Sequence, residues 1–287
     1  VNIEVVLVNS FTVNGKGGNP AGVVLNADKL TDMQKLKIAQ AVGYSETAFV
    51  SSDDEADFEV SFFTTTDEVD FCGHATLATF STLYQKGILT AGTYTQRTKV
   101  GILSVTIEPS GKVIMAQQLP QTLACFSYQE ISAVIGIESS ILQSTRLPIE
   151  VISTGLPDVI IPVPHGYLDF IEPNDELIAA FCKKCNVVGF HVFELCSAGS
   201  LLTASCRNFA PLFGISEESA TGSSSGALAC YLTEHLALGS EYIFEQGRAM
   251  GCTSIITASI ESDNATVTSV KVGGFASIIE TVMIPLM

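Results

Sequence analysis

The chain repeats its own plan once, and no other feature limits its fold as tightly. FEVSFFT (58–64) leads into DEVDFCGHATLATFSTLYQKG (67–87), and LLTASCRNFAP (201–211) leads into SEESATGSSSGALACYLTEHLALG (216–239). Each copy has an extended apolar segment, an acidic turn and a glycine among small polar residues. A long apolar helix follows, stopped by Gly87 or Gly239. Gly73 and Gly222 correspond, 149 positions apart. Upstream, AVGYSETAFVSS (41–52) matches VVGFHVFELCSA (187–198), with Gly43 against Gly189, 146 positions apart. A nearly constant offset of about half the 287 residues predicts two similar α/β domains that arose by duplication. The expected limits are 1–117 with 275–287 for the first domain and 118–274 for the second.

The helices ATLATFSTLY and GALACYLTEHLAL are apolar on nearly every side, so each must be buried on every side. The strands to surround them are supplied by EVVLV, AGVVL, TAFV, LSVTI, PDVIIPV, HVFEL, SIITASI and SIIETVMI, all rich in β-branched residues. The expectation is a curled sheet or barrel around one central helix in each domain. Both helices are expected to begin near the domain interface, where their free N–H groups and positive dipole ends suit a carboxylate.

Composition narrows the partners. With 47% hydrophobic and 15% charged residues, the chain can bury a large core. A net charge of −16 argues against nucleic acid and anionic membranes. It does not exclude an anionic small molecule, which needs only local positive potential. No apolar run is long enough for a transmembrane helix, and VNIEVVLVNSFTVNG reads as a strand, not a signal peptide. Eight cysteines scattered through apolar surroundings fit buried free thiols, so a cytoplasmic protein is expected. Cys182 and Cys185 form a lone CxxC with no second ligand pair at zinc spacing, which reads as a turn near a helix end.

Chemistry is sought where the copies differ. Glu46 in YSETAF, aligned here with Val192, lies among apolar residues and is costly there unless exposed or functional. Partial burial would suit it to proton transfer. His74 aligns with Ser223 and can donate a hydrogen bond, relay a proton, or simply bond a backbone carbonyl. Cys72 aligns with Thr221. A two-base racemase working with paired thiols is therefore excluded, because a threonine hydroxyl is too weak an acid. Cys72 alone could still act as a nucleophile, although its apolar neighbours Val69 and Phe71 favour a buried structural thiol.

The stretches VNSFTVNGKGGNPAGVVL (8–25), SETAFV (45–50), FCGHATLAT (71–79), RNFAPLFGISEESATGSSSGAL (207–228) and VKVGGFASI (270–278) together resemble the phenazine biosynthesis-like (PhzF) family, of diaminopimelate epimerase-like fold. The resemblance implies an isomerase that needs neither a metal nor an organic cofactor and shifts a proton on a small cyclic or unsaturated carboxylic acid. It places the catalytic glutamate at Glu46, the GHAT histidine at His74 and a further acidic catalytic position at Glu218. Asn19, Ser45, Gly73, Ala75, Thr221, Gly222 and Ser223 are the implied substrate-binding positions. A homodimer is also implied, though no stretch marks an interface. The family often has aspartate in a D-x-A-T-G-S motif where this chain has Glu218, one methylene longer. A binding or regulatory protein that has lost catalysis is the first alternative to the isomerase, and a Cys72 hydrolase or transferase the second.

Overall fold

The computed structural model describes residues 2–264 and 266–286; positions 1, 265 and 287 of the expected domain limits lie outside them. The chain divides into two compact units, residues 1–116 with 273–287, and residues 117–272. Elements are numbered along the chain.

The first unit contains β1 (Asn2–Ser10), β2 (Asn19–Val24), α1 (Asp32–Val42), β3 (Thr47–Ser51), β4 (Phe58–Phe63), β5 (Glu68–Val69), α2 (Gly73–Gln85), β6 (Gly92–Thr98), β7 (Gly101–Ile107), β8 (Val113–Ala116) and β18 (Ala276–Pro285). β1 pairs antiparallel with β18 and β2, β2 parallel with β3, and β3 antiparallel with β4. β4 pairs antiparallel with β5 and parallel with β6, and β6, β7 and β8 continue antiparallel. α2 packs against β1, β2, β3, β7, β8 and β18, strands from both ends of this order, so the sheet curls around it. Every residue from His74 to Leu83 is buried, as a helix apolar on all sides requires. α1 covers the outer face, with Ile38 and Ala39 in a cluster with Val5, Val24, Phe49 and Phe63.

The second unit contains β9 (Gln121–Phe126), α3 (Tyr128–Ile135), α4 (Ser139–Ser144), β10 (Ile149–Ser153), β11 (Pro157–Pro162), α5 (Asp175–Cys185), β12 (Gly189–Leu195), β13 (Ala204–Ala210), β14 (Ile215–Glu218), α6 (Gly222–Leu236), β15 (Glu241–Gln246), β16 (Ser254–Asp263) and β17 (Thr266–Gly274), whose last two residues fall in the first unit. Its pairings reproduce those of the first. β10 pairs antiparallel with β9 and β11, β11 parallel with β12, β12 antiparallel with β13, β13 antiparallel with β14 and parallel with β15, and β15 antiparallel with β16. α6 packs against β10, β11 and β16. The fold is a mixed α/β arrangement in which each unit wraps a sheet around a central helix.

Strand register corrects one part of the alignment. Gly43 is the left-handed C-cap of α1, and its counterpart at the end of α5 is Asn186, also left-handed. Asparagine tolerates that conformation nearly as glycine does. The offset here is therefore 143, not 146, and Gly189, not Val192, stands in the place of Glu46. Val192 belongs to the outer cluster under α5, whereas Glu46 points toward α2. A side chain cannot stand at Gly189, because a Cβ there would run into the carbonyl oxygen of Phe209. The α6 stop also falls early: the left-handed residue is Ala237 (φ 49°), two positions before Gly239.

Candidate active site

Glu46 is the residue before β3, and its carbonyl accepts a 3.2 Å hydrogen bond from the Gly22 amide in β2. That bond fixes where the side chain leaves the sheet. Its Oε2 is buried without a hydrogen-bond partner, 3.3 Å from Nε2 of His74. His74 is the second residue of α2 and is held at its backbone by Ser10, whose Oγ donates to the His74 carbonyl at 2.6 Å. Burial pushes the imidazole below the usual histidine range, against the opposing pull of the Glu46 carboxylate and a hydrogen bond to the Pro20 carbonyl. The ring is therefore neutral near neutral pH, a hydrogen-bond donor and not a standing cation. Cys72, the N-cap of α2, places Sγ 3.4 Å from His74 Nδ1.

α2 carries no side-chain cap. A Cβ on Gly73 would meet no atom within 4 Å, and its backbone does not demand glycine, so the helix start is left open to a ligand. Buried Asn19 pairs with Ser10 in the β1–β2 register, Ala75 is fully buried, and Ser45 is exposed beside Glu46. The first unit thus gathers Asn19, Glu46, Gly73, His74 and Ala75 around one helix start.

In the second unit, the N-cap of α6 is Thr221, whose Oγ1 donates to the Glu218 carboxylate. Gln246 Nε2 donates to Thr221 Oγ1 at 3.0 Å and to the Glu218 carbonyl at 2.8 Å, while its Oε1 accepts from the Thr221 amide at 3.2 Å. Thr154 Oγ1 donates to the Ser223 carbonyl at 3.0 Å. Glu218, Thr221, Gly222 and Ser223 therefore lie together at the α6 start, with Glu218 bonded to the cap.

Sequence reasoning missed the buried network beneath that start. Ser224 Oγ donates to Asp158 at 2.5 Å, Asn208 Nδ2 donates to Ser224 Oγ at 3.1 Å, and His191 Nδ1 lies 3.3 Å from Asn208. Burial raises Asp158 to about 6, opposed by the Ser224 and Gly189 hydrogen bonds, and lowers His191 to about 3. The signal was present: an aspartate in PDVIIPV and a histidine in GFHVFEL are polar residues inside apolar strands, as Glu46 is near one. Cys182 and Cys185 lie in the last turn of α5, and burial raises the Cys182 thiol to about 12, which marks an inert core thiol.

A carboxylate oxygen buried without a hydrogen bond thus lies beside a neutral imidazole at an open helix start. The model of the phenazine biosynthesis-like protein family matches residues 8–281. The chain therefore belongs to the phenazine biosynthesis-like (PhzF) family, which places it in the isomerase class. An uncharacterized isomerase of Clostridium acetobutylicum is 35% identical, over 95% of this chain and 94% of the relative. The trans-2,3-dihydro-3-hydroxyanthranilate isomerase of Pseudomonas chlororaphis is 28% identical, over 94% of each chain. A PhzF-family crystal structure from Bacillus anthracis superposes with a TM-score of 0.91 at 30% identity, covering 100% of both chains. A hydroxyproline epimerase from Agrobacterium vitis, at 9% identity and a TM-score of 0.63 over 99% of this chain and 92% of the other, shares the fold alone.

Proposed function

We propose that the protein is an isomerase in which Glu46 carries one proton between two carbons of a small cyclic or unsaturated carboxylic acid. The observation that carries this reading is the Glu46 Oε2, buried without a hydrogen bond and aimed at the start of α2. That oxygen meets no protein donor and is placed to accept a proton from an acid bound at the helix start. It removes a proton from the substrate carbon and returns it at another on the same face. The substrate carboxylate is held by the first-turn N–H groups of α2 at Gly73 and Ala75, with Asn19 and Ser45 beside it. His74, neutral and with its single N–H donated to the Pro20 carbonyl, presents its second ring nitrogen as an acceptor beside the proton path. Thr221, Gly222 and Ser223 at the α6 start are assigned to substrate binding, and Glu218 to holding that start through Thr221. The Cys72 sulfur takes no part in the proton transfer.

The activity named for the Pseudomonas relative makes trans-2,3-dihydro-3-hydroxyanthranilate the first candidate substrate. The test is proton NMR of the protein with a panel of cyclic and unsaturated acids that includes it. Migration of a double bond in one of them supports the reading. A compound that binds, with shifted resonances and no change of its own, would make the protein a small-acid binder instead.

A further inference from the structure

The three side chains at the α2 start also make a donor set of another kind. Among the described residues, Glu46, Cys72 and His74 are the one cluster of three potential metal ligands, with a carboxylate oxygen, a thiol sulfur and an imidazole nitrogen all within 4.8 Å of one another. Nε2 of His74 lies 3.3 Å from Glu46 Oε2 and 4.0 Å from Cys72 Sγ, and Nδ1 lies 3.4 Å from the sulfur. Tetrahedral zinc, with bonds of about 2.0–2.3 Å, sets its ligands roughly 3.3–3.8 Å apart, so only small movements separate this cluster from a coordination shell. The Oε2 already waits without a hydrogen bond. His74 is oriented by a hydrogen bond to the Pro20 carbonyl, as metal-binding histidines usually are.

We propose that Glu46, Cys72 and His74 bind a divalent ion of the zinc class, and that the bound ion blocks the isomerase. The ion takes the Glu46 oxygen and one His74 nitrogen directly. The sulfur–metal bond forms as the Cys72 thiol gives its proton to solvent. A thiolate in the set selects zinc, cobalt or cadmium and disfavours magnesium and calcium, which require oxygen ligands. Its position at a helix N-terminus favours the deprotonated sulfur. The blocking half of the proposal rests on the role given to Glu46 above; the binding half does not.

The binding test is cobalt(II) titration of the full chain, read by the thiolate-to-cobalt charge-transfer band. The band is expected in the wild type, with an apparent affinity at least tenfold lower in Cys72→Ala and reduced in Glu46→Gln. No band, or a band unchanged in Cys72→Ala, overturns the site and assigns the metal to other thiols such as exposed Cys125 and Cys252. Circular dichroism checks that both variants fold, and Cys72→Ser repeats the test if the alanine variant does not. The second arm measures turnover against zinc chloride, with magnesium as control and chelator to reverse. Inhibition should need at least tenfold more zinc in Cys72→Ala. A cobalt band with no zinc inhibition overturns the blocking half. A cobalt band in a protein with no turnover on any acid leaves the metal site standing and sinks the isomerase reading.

Discussion

The two units share one topology and spend their polar side chains in opposite places. Strand register matches Ala21, Ala48 and Phe62 of the first unit to Asp158, His191 and Asn208 of the second, and the helix starts at Gly73 and Gly222 match Ala75 to Ser224. At these positions under α2 the side chains are apolar, with Gln96 of β6 bonded to Thr76 on the helix, and the pair Glu46 and His74 sits at the helix start. Beneath α6 the polar groups are sealed in the core, and the place of Glu46 is taken by Gly189, where no side chain fits. One copy keeps a carboxylate oxygen without a hydrogen bond at its helix start; the other uses a carboxylate to tether its helix. The lesson is that duplication preserved the strand pairings, which backbone hydrogen bonding enforces, while the groups beneath and beside the helix starts diverged freely.

The strongest way to break this comparison is Glu46→Gln. Turnover should fall by about 10²- to 10⁴-fold, the usual worth of a positioned acid–base group, with substrate binding kept. Steady-state kinetics with a binding titration would show it, and a fall in binding alone would contradict the role. Next comes Gly189→Ala, which should destabilise the fold by about 2–4 kcal/mol, because the Phe209 carbonyl blocks the new Cβ and backbone must move. Urea unfolding measures this; a neutral result would mean that space does not explain the missing carboxylate.

Asp158→Asn sharpens the account of the second unit. Asp158 is raised from 3.8 to about 6, so between pH ~4 and ~6 the folded protein keeps a proton that the unfolded chain has lost. Its contribution to stability is complete below the unfolded value and disappears as pH rises through the folded one. Asparagine loses nothing over that window, so the stability difference should move toward the variant by about 2–3 kcal/mol from pH 4 to pH 6. His191 is common to both proteins and drops out of the difference. A flat difference in urea midpoints across that range would show that Asp158 is ionised in the fold. The smallest effect belongs to Cys72→Ala, which should leave turnover within about twofold, the sulfur lying outside the proposed proton path. A large loss would revive a cysteine nucleophile.

The repeat and the all-round apolar helices were legible because burial on every side leaves a plain trace in sequence. AGVVL and TAFV fall on β2 and β3, PDVIIPV and HVFEL on β11 and β12. Glu46 and His74 were legible as polar residues in apolar context, and the structure brings them within 3.3 Å. The partner position of Glu46 was misread because alignment matched glycine to glycine, whereas the chain matches one left-handed cap, Gly43, to another, Asn186. The Asp158–Ser224–Asn208–His191 network joins residues 50 or more positions apart with closer ones across three strands and a helix. Only strand register brings them together, and letters alone do not carry register.

The central claim is that Glu46 moves a proton. It is tested most directly by incubating wild type and Glu46→Gln in D₂O with trans-2,3-dihydro-3-hydroxyanthranilate and following deuterium at carbon by NMR. The account predicts double-bond migration with the wild type, with deuterium at carbon to the extent that the Glu46 proton exchanges with solvent before it returns, and neither above background with the variant. Equal uptake by both proteins would contradict it.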